Sequence, residues 1–476
     1  MTIDMFLKSE KENDLYRKEI EGIPYWLYGR NAIYQQHIIA KKAMFRSMTK
    51  PSTFRNKVKK VFKIMFYASV GRGKLKRNID VCFVDFSRKE KRGDYYYSQY
   101  IEDIRQQFSN SITLEMPYNH HFYAPIADKK IYSLYGIYMI GKMYQLFHQR
   151  LRTNYYQKIK SEIKNQVEAP LTKIAMDYQV DLDAESIYNM LVSGFFRAKA
   201  ETKQYRLLLK KLNPKVIVEV MAIPRGNMII NAIAKELGIP TMELQHGMVN
   251  ISYQYADTAS VQHLPDKLLL FSDYWKQFIR LPMDEKNVIS VGLPRFEREL
   301  VRDKAMKTDV HVASGKKVIL FISQVPIGVK MSKLAVDVYK QMSDRYDIIY
   351  KLHPNEYTEW QKKYPWLAEI KEMTVIANDE ISIYACFAKS DIQVGGYSTG
   401  IFEGLGFNLA TYLIPYGHTF IFEPLVGLNY AKWVHNSQEL CYYLSSESLF
   451  GQDDVSAYFW KKNALQNIER EIVRFL

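Results

Sequence analysis

The sequence contains few cysteines. Three occur in 476 residues, Cys82, Cys386 and Cys441, and no two of them form a CxxC pair. An odd number of widely spaced cysteines argues against a disulfide framework and against a zinc site. We therefore expect a protein of a reducing compartment, with no metal bound by cysteine.

Long apolar runs are also missing. The longest uncharged apolar run, residues 131–141, is too short to span a bilayer. The N-terminal residues carry charges where a signal peptide would need an apolar core. These two absences predict a cytoplasmic protein.

Two common phosphate-binding loops are absent as well. No GxGxxG opens either half of the chain, and no GxxxxGK[ST] occurs. Neither a dinucleotide-dependent oxidoreductase nor a P-loop NTPase is therefore supported. No predicted strand ends in a DxD pair, the motif that would indicate a metal-bound diphosphate. We therefore expect chemistry that needs neither a metal nor a cofactor.

Acidic residues are absent from residues 22–79, which contain fourteen Lys or Arg. The formal net charge of the chain is +15, so this stretch carries nearly all of it. Within it, residues 54–66 form an apolar stripe at helical spacing with basic residues around the rest: Phe54, Val58, Val61, Phe62 and Met65 against Arg55, Lys57, Lys59, Lys60 and Lys63. This pattern predicts a helix on an anionic membrane surface. A helix packed on its own domain is the alternative, and nucleic acid is a weaker one because no recognisable binding module accompanies the charge.

The composition, 47% hydrophobic and 25% charged, is typical of a globular protein. A strand–helix–strand unit stands near the middle of the chain. Residues 216–222 have the pattern of a buried strand, residues 227–238 that of a helix, and TMELQHG (241–247) that of a strand ending in a polar turn. In open parallel sheets, ligands bind beyond the carboxyl ends of the strands. Gln245 and His246 are therefore candidate site residues.

The same alternation of strands and helices continues on both sides of this unit. We expect strands at 78–87 and 112–116, a helix at 98–110, mostly helix over 127–212, and a tyrosine-rich loop at 87–100 that could contact substrate. The second half has seven strand-like segments: 267–272, 288–294, 317–323, 346–352, 373–378, 391–396 and 410–416. Helical stretches separate them at 273–280, 330–344, 357–372, 380–389 and 399–406.

The predicted fold class is α/β, with two Rossmann-like, doubly wound domains facing each other across a cleft, and a helical insertion. The predicted parts are a basic, membrane-associating segment at 1–77, an N-terminal Rossmann-like domain at 78–258, a C-terminal Rossmann-like domain at 259–452, and a helix that packs back on the first domain at 453–476.

Two further polar turns follow predicted strands of the second half. In KLHPNE (351–356), the strand presents Lys351 and His353 on the same side, and Pro354 ends the strand because it lacks an N–H. A cationic or hydrogen-bonding pair at this place suits a pyrophosphate.

The other turn is GGYSTGIFEGLG (395–406). Gly396 and the glycine before it allow close backbone approach, and Ser398 or Thr399 caps a helix whose free N–H groups attract a phosphate. Glu403 lies one helical turn beyond Thr399 and is placed to accept ribose hydroxyls.

Taken together, LQHG, KLHP and GGYSTG…E resemble the motifs of GT-B-type transferases of bacterial surface polysaccharides. The nearest by motif are capsule Kdo transferases, CDP-glycerol glycerophosphotransferases and the HP-motif sialyltransferases. The resemblance covers roughly residues 215–430. It implies that residues 78–258 are the acceptor domain and residues 259–452 the nucleotide-donor domain. It also implies that His353, Ser398 and Thr399 bind the phosphates of a nucleotide-activated donor and that His246 acts in catalysis. The acidic D-D/E-G motif of the sialyltransferases is absent, which argues against that activity.

The predicted function is transfer of a sugar to a lipid-linked capsule or lipopolysaccharide glycan. The donor is a cytidine or uridine nucleotide, cytidine favoured, such as CMP-Kdo or a related acid sugar. His246 is the candidate base. The other candidates are Gln245, Glu219 and Asp85 for catalysis, Lys351 and Gly396 for the donor phosphates, and Glu403 and Pro354 for the ribose or base.

The alternatives are a CDP-glycerol-type glycerophosphotransferase, a non-catalytic scaffold that binds glycan or membrane, and a sugar-nucleotide epimerase. We expect the protein at the inner face of the bacterial membrane, with no nucleic-acid partner.

Overall fold

A computed structural model gives the fold of most of the chain. The described residues are 3–34, 75–85, 88–116, 123, 125–126, 128, 130–248, 261–279, 281–305, 315–378, 380–396, 398–416, 419–446 and 456–476. They divide into two compact units. The first comprises Met1–Leu270, Ile279–Ile289 and Ile468–Leu476, and the second comprises Phe271–Phe278 and Ser290–Asn467.

The first unit is built on a seven-stranded sheet. Its strands and an adjoining hairpin are, in chain order, β1 (Val81–Asp85), β2 (Lys89–Arg92), β3 (Tyr95–Ser98), β4 (Ser111–Glu115), β5 (Ile131–Ser133), β6 (Val216–Glu219), β7 (Thr241–Leu244), β8 (Lys267–Leu270) and β9 (Val288–Ser290). The order across the sheet is β5-β4-β1-β6-β7-β8-β9, and β2 pairs with β3 alone. The pairings from β5 through β8 are parallel. Strands β1, β4, β6 and β7 are buried at every position, as expected for a parallel sheet covered on both faces.

Helices cover this sheet and extend from it. In chain order they are α1 (Ile3–Glu12), α2 (Tyr25–Ile33), α3 (Glu102–Arg105), α4 (Tyr135–Leu151), α5 (Thr153–Asp177), α6 (Ala184–Leu212) and α7 (Arg225–Glu236). The predicted helical insertion consists of α4, α5 and α6, between β5 and β6. Helix α6 begins where the Asp183 carboxylate accepts the Ser186 N–H (3.0 Å), and it ends at Asn213 in the left-handed conformation.

The second unit is built on a six-stranded parallel sheet. Its strands are β10 (Lys317–Ile322), β11 (Tyr346–Lys351), β12 (Thr374–Ile376), β13 (Ile392–Gly395), β14 (Ala410–Leu413) and β15 (Ala431–Trp433). The order is β12-β11-β10-β13-β14-β15, and every pairing is parallel. This order reverses direction between β10 and β13, as in a doubly wound dinucleotide-binding fold.

The helices that follow α7 are α8 (Pro294–Ala305), α9 (Gly328–Met342), α10 (Trp360–Lys363), α11 (Pro365–Ala368), α12 (Ile383–Ala388), α13 (Thr399–Leu405), α14 (Glu423–Gly427), α15 (Ser437–Ser445), α16 (Ser456–Phe459) and α17 (Ala464–Val473). Short 3₁₀ helices occur at Leu15–Arg17, Val261–His263, Asp273–Phe278, Glu285–Asn287, Pro354–Glu356 and Thr419–Ile421. The predicted fold class, α/β with two Rossmann-like doubly wound domains, is confirmed. The cleft placed between the domains stays a prediction.

Three sequence-based assignments need correction. Residues 267–272 and 288–294 were expected in the second domain, but β8 and β9 belong to the first sheet. An apolar strand pattern looks alike in either sheet, so the sequence could not assign these two strands. The expected loop at 87–100 contains the β2–β3 hairpin, closed by Gly93 (φ 57°) and Asp94. The expected helix over 127–212 begins with strand β5.

The N-terminal residues are part of the first unit and not a separate segment. Ile3, Phe6 and Leu7 of α1 lie in the core of that unit. The predicted membrane helix at 54–66 lies outside the described residues, so that prediction stands as it was made.

A buried polar cluster joins α1 to α2. The Glu10 carboxylate is fully buried; it accepts the Trp26 indole N–H (2.7 Å) and lies 3.2 Å from the Arg30 guanidinium. Because all three side chains are shielded from water, removing one charge leaves the other without compensation.

We expect Arg30→Met to destabilise the protein by about 3 kcal/mol, the usual cost of breaking a buried ion pair. Urea unfolding measures the change. Lys8→Met is the matched control, because Lys8 pairs with Glu12 on the surface of α1, the helix that carries Glu10, and exposed pairs contribute roughly 0 to 1 kcal/mol. Equal effects of the two substitutions would show that the cluster does not hold residues 3–34 to the unit.

Candidate functional site

The polar turns of the second unit gather at one edge of its sheet. Ser323 follows β10, His353 follows the neighbouring β11, and Ser398 follows β13 on the other side of β10. Because the strands are parallel, their carboxyl ends meet at this edge, and the sheet order reverses between β10 and β13. This is the place where doubly wound folds bind ligands.

His353 is held by its own turn. It begins the 3₁₀ helix Pro354–Glu356, and its Nδ1 accepts the N–H of Asn355 (3.2 Å). An Nδ1 that accepts a hydrogen bond leaves the ring proton of the neutral imidazole on Nε2. His353 therefore presents Nε2–H as a hydrogen-bond donor, and its side chain is half-buried.

A buried carboxylate supports this turn from behind. Glu356 accepts the His353 main-chain N–H at Oε2 (3.0 Å), and its Oε1 accepts the Tyr364 hydroxyl. Burial, with the Glu356 carboxylate beside it, raises the pKa of Tyr364, so the phenol stays protonated and keeps donating. The conformation of the His-Pro turn is thus fixed by contacts on both sides of Glu356.

The turn after β10 is tied to the same group. Gly328 opens α9, and a Cβ at this position would overlap the Tyr364 hydroxyl and the Glu356 carboxylate. The Tyr350 hydroxyl donates to Ser323 Oγ (3.1 Å). Only glycine lets α9 start this close to Glu356, and the turns after β10 and β11 are locked together as a result.

Ser398 and Thr399 lie where the sequence predicts. Ser398 is the N-cap of α13, its Oγ accepts the Gly400 N–H (3.1 Å), and Thr399 is the first helical residue. Gly396 has a different explanation from the predicted one. A Cβ there would lie 2.5 Å from the Ile414 carbonyl oxygen, so the approach of the chain after β14 requires glycine.

Glu403 faces other protein groups. Burial raises the pKa of its carboxyl, and the Arg295 guanidinium and the Tyr384 hydroxyl oppose that rise. The Arg295 guanidinium lies over the Tyr384 ring, 5.2 Å from its centroid. A contact between Glu403 and a ribose stays a prediction.

Lys351 does not lie as predicted. Its ammonium donates to the carbonyls of Asn378 (2.7 Å) and Ile381 (3.0 Å) and to the Tyr357 hydroxyl (3.2 Å). An ammonium group has three N–H donors, and these contacts engage all of them. The buried lysine therefore fastens the turn after β12 and does not present its charge to a phosphate. Pro354, next to His353, is exposed.

In the first unit, His246 follows β7 at the carboxyl edge of the sheet. Its imidazole donates to the Val220 carbonyl, just past the end of β6, and its ring meets the Tyr100 ring edge-on (centroids 6.3 Å apart). Burial, with the Arg88 guanidinium nearby, lowers the pKa of His246 to about 4. The imidazole is therefore neutral at pH 7, the state in which it can accept a proton.

Arg88 and Tyr100, which lie beside His246, flank the β2–β3 hairpin. Arg88 Nη1 donates to the Tyr100 hydroxyl (3.4 Å). The prediction that residues 87–100 contact substrate did not single out either residue, and it stays a prediction. Gln245 is buried and donates from Nε2 to the Gly247 carbonyl (2.8 Å), so it shapes the turn that carries His246.

Glu219 and Asp85 are buried behind this edge. The Glu219 carboxyl accepts the Asn231 amide (2.7 Å), and burial raises its pKa to about 8, so it is protonated at pH 7. Asp85 lies beside the Lys89 ammonium (4.0 Å), which also pairs with Glu115. Both side chains are almost completely shielded from solvent, which argues against their prediction as candidate bases.

Within the described residues, no group of three His, Cys, Asp or Glu side chains is arranged to hold a metal ion. Helices long and apolar enough to cross a bilayer are likewise not found in this part of the chain.

The sequence matches no protein-family model and no curated protein. Among solved structures, the chain is similar to UDP-GlcNAc 2-epimerase from Neisseria meningitidis bound to UDP-GlcNAc, with 11% identity, 83% of this chain and 100% of that chain covered, and a TM-score of 0.49. It is also similar to the wall teichoic acid polymerase TagF, with 12% identity, 88% of this chain and 97% of that chain covered, and a TM-score of 0.44. It is similar as well to a complex of S. aureus MnaA with UDP, with 12% identity, 84% of this chain and 98% of that chain covered, and a TM-score of 0.49. These similarities concern the fold alone.

The pKa of His246 predicts a pH dependence of stability. The folded-state pKa of about 4 lies below the ordinary value of 6.5, so the unfolded chain binds more protons between these values. The His246 contribution to stability is fully present above pH 6.5 and is lost as the pH falls toward 4.

We expect the free energy of unfolding of wild type, minus that of His246→Gln, to fall by on the order of 1 kcal/mol from pH 7 to pH 5. Comparing the two proteins removes the opposing effect of Glu219, whose raised pKa lowers stability as the pH rises from 4.5 toward 8. Urea titrations at both pH values measure the difference. A constant difference would mean that His246 titrates normally.

Proposed function

We propose that the chain is a GT-B-type glycosyltransferase that needs no metal ion. It transfers a sugar from a nucleotide-activated donor, with a cytidine nucleotide such as CMP-Kdo or a related acid sugar favoured, to a lipid-linked capsule or lipopolysaccharide glycan. The observation that carries the proposal is the braced His353 turn at the edge where the β10–β13 sheet order reverses. The protein works in the cytoplasm, at the inner face of the bacterial membrane.

The second unit supplies the donor site. The His353 Nε2–H, the Ser398 hydroxyl and the Thr399 hydroxyl are neutral donors that suit phosphate oxygens. Such fixed donors stabilise the charge that develops on the leaving phosphate without reorganising during the reaction. Pro354 and Glu403 are the proposed contacts of the nucleoside.

The first unit supplies the base. Neutral His246 accepts the proton of the acceptor hydroxyl as the new glycosidic bond forms, because the hydroxyl becomes acidic only as its oxygen attacks. An anionic substrate group bound beside the ring would favour the imidazolium and raise the pKa of His246 toward neutrality. Gln245 holds the turn, and Arg88 and Tyr100 are the proposed acceptor contacts.

A CDP-glycerol-type glycerophosphotransferase is the second candidate. The donors on the second unit recognise phosphate oxygens and leave open which group the phosphate carries, so they fit this reaction equally well. One measurement distinguishes the two transferase candidates from the remaining alternatives, a non-catalytic scaffold that binds glycan or membrane and a sugar-nucleotide epimerase. Only a transferase releases nucleotide in a manner that depends on an acceptor.

A thermal-shift series with CMP, CDP, UDP and GDP tests the donor site. A ligand at 100 times its Kd stabilises the native state by about 2.7 kcal/mol. We expect a cytidine nucleotide to raise the Tm most. No shift with any of the four would contradict the assignment of the second unit as a nucleotide site.

His353→Ala and His246→Ala should both abolish transfer, by different routes. His353→Ala should weaken nucleotide binding by roughly 10- to 100-fold, since a hydrogen bond to a charged group contributes about 1.5 to 3 kcal/mol. His246→Ala should leave nucleotide binding nearly unchanged, because the base acts on the acceptor. Isothermal titration and a nucleotide-release assay give the two readouts.

His435→Ala is the matched control for both, because His435 is an exposed histidine of the second unit that lies against Glu439. Full turnover by either site variant, or an equal loss in His435→Ala, would contradict the assignment of the two histidines.

Glu356→Gln tests the bracing of the turn. The amide keeps the size of the carboxylate, but it has one acceptor oxygen and cannot accept from both His353 N–H and Tyr364 O–H. We expect nucleotide affinity to fall about 2- to 10-fold, the equivalent of one neutral hydrogen bond. The effect should disappear in the His353→Ala background, because Glu356 acts through His353. Additive losses in the double variant would contradict this, because they would mean that Glu356 affects nucleotide binding independently of His353.

A further inference from the structure

Helix α4 leaves an apolar ridge exposed. Ile140, Met143, Phe147 and Leu151 are 38%, 65%, 46% and 75% exposed, respectively. Their spacing of three and four residues places them along one line of the helix, about 16 Å long at 1.5 Å per residue. We call these four residues the α4 ridge.

The opposite side of α4 is the one that packs on the protein. Gly141, Gln145 and His148 are buried, and Gln145 accepts from the Arg197 guanidinium of α6 (3.2 and 3.3 Å). A Cβ at Gly141 would lie 2.9 Å from Glu201 Cγ of α6, so the helix sits close against its neighbour. The orientation of α4 is thereby fixed, and the ridge faces outward.

The surroundings of the ridge are basic. Residues 129–161 contain seven Lys or Arg and no Asp or Glu. Arg150 and Arg152 are exposed at the end of the ridge, and the turn from α4 into α5 is exposed from Gln149 through Asn154. Apolar side chains interleaved with cations are typical of a surface that lies in the headgroup region of an anionic bilayer. The Glu21 carboxylate, which accepts the Tyr155 hydroxyl near this turn, is paired with the Lys199 ammonium.

Charge also decides between possible occupants of the ridge. A second copy docked on the same ridge would bring two sets of Arg150 and Arg152 together, and these like charges repel. The basic segment 54–66 of the same chain has the same sign of charge. An anionic lipid surface is the occupant that satisfies both the apolar ridge and the cations.

We propose that the α4 ridge and the α4–α5 turn bind the surface of an anionic membrane. Phe147 and Leu151 enter the boundary between headgroups and acyl chains, and Arg150 and Arg152 contact lipid phosphates. The helix lies in the plane of the membrane because its other side stays packed on α6. This surface is separate from the predicted helix at 54–66, and it does not depend on the transfer reaction.

Vesicle binding by the full-length chain tests the proposal. The vesicles are phosphatidylcholine with 30% phosphatidylglycerol, against phosphatidylcholine alone, in low and high salt. The ridge variant is Met143→Ser, Phe147→Ser and Leu151→Ser. The control variant replaces three comparably exposed apolar residues on other helices: Met176→Ser, Leu207→Ser and Val301→Ser. We expect the ridge variant to lose at least tenfold in partition coefficient on anionic vesicles, and the control to match wild type.

Both variants are also made in a background that carries Lys57→Glu, Lys59→Glu, Lys60→Glu and Lys63→Glu. The loss on changing the ridge should persist there, which separates this surface from 54–66. Equal binding by the ridge and control variants, or equal binding of wild type to neutral vesicles, overturns the proposal. A dimer of wild type in lipid-free solution that the ridge variant abolishes also overturns it, in favour of self-association.

A local probe keeps the test decisive if other surfaces also bind lipid. The three described cysteines are buried, so an environment-sensitive dye attached through Phe147→Cys or Val301→Cys reports on one place. We expect a blue shift with anionic vesicles for the dye at 147 and none at 301. No shift at 147 would contradict the proposal. Nucleotide-induced thermal shifts should be the same in the ridge variant and wild type, so failure of this proposal and failure of the proposed function are distinguishable.

Discussion

Parallel pairing of the strands is the constraint on which the rest of the structure depends. In each main sheet, strands with parallel pairing have their carboxyl ends at one edge, so turns far apart in sequence become neighbours. Ser323, His353 and Ser398 span 76 positions of the chain, yet they follow three adjacent strands. His246 follows β7 in the same way and meets the chain just past the end of β6. The polar chemistry of both units is a product of this geometry.

The two histidines are prepared for different work by different means. His353 is fixed by hydrogen bonds: its Nδ1 accepts a main-chain N–H, and its own N–H is held by the buried Glu356 carboxylate. His246 is governed by desolvation and by the nearby Arg88 guanidinium, which keep the ring neutral. A neutral ring with a fixed proton suits the binding of an anion. His246 has a lowered pKa and is neutral in the free protein. Such a ring suits a base whose pKa rises only when substrate is bound.

The sequence was sufficient for features that are local or periodic. The strand ending at Leu244, the helix over 225–236, and the turns that carry His353 and Ser398 all follow from apolar spacing, proline and glycine. Features that depend on tertiary contacts could not be read this way. Nothing in KLHPNE shows that the Lys351 ammonium donates to two carbonyls and a phenol. Nor does it show that Glu356 holds the turn that carries His353. Gly396 was recognised as necessary, but the Ile414 carbonyl that makes it necessary comes from another strand. The N-terminal helices were assigned to a basic segment because net charge can be counted from the sequence. The contacts of the buried Glu10 cluster, which hold these helices to the first unit, cannot be read from it.

The path of the chain between the units has a consequence for recombination. The boundaries at Leu270, Phe278, Ile289 and Asn467 mean that the chain passes from one unit to the other four times. A gene segment that ends at any single point therefore encodes one incomplete unit, and exchange of a whole unit with a related protein needs four junctions in register. A lineage with this connectivity diversifies by substitution and by changes in its exposed turns, and far less readily by shuffling of its two halves.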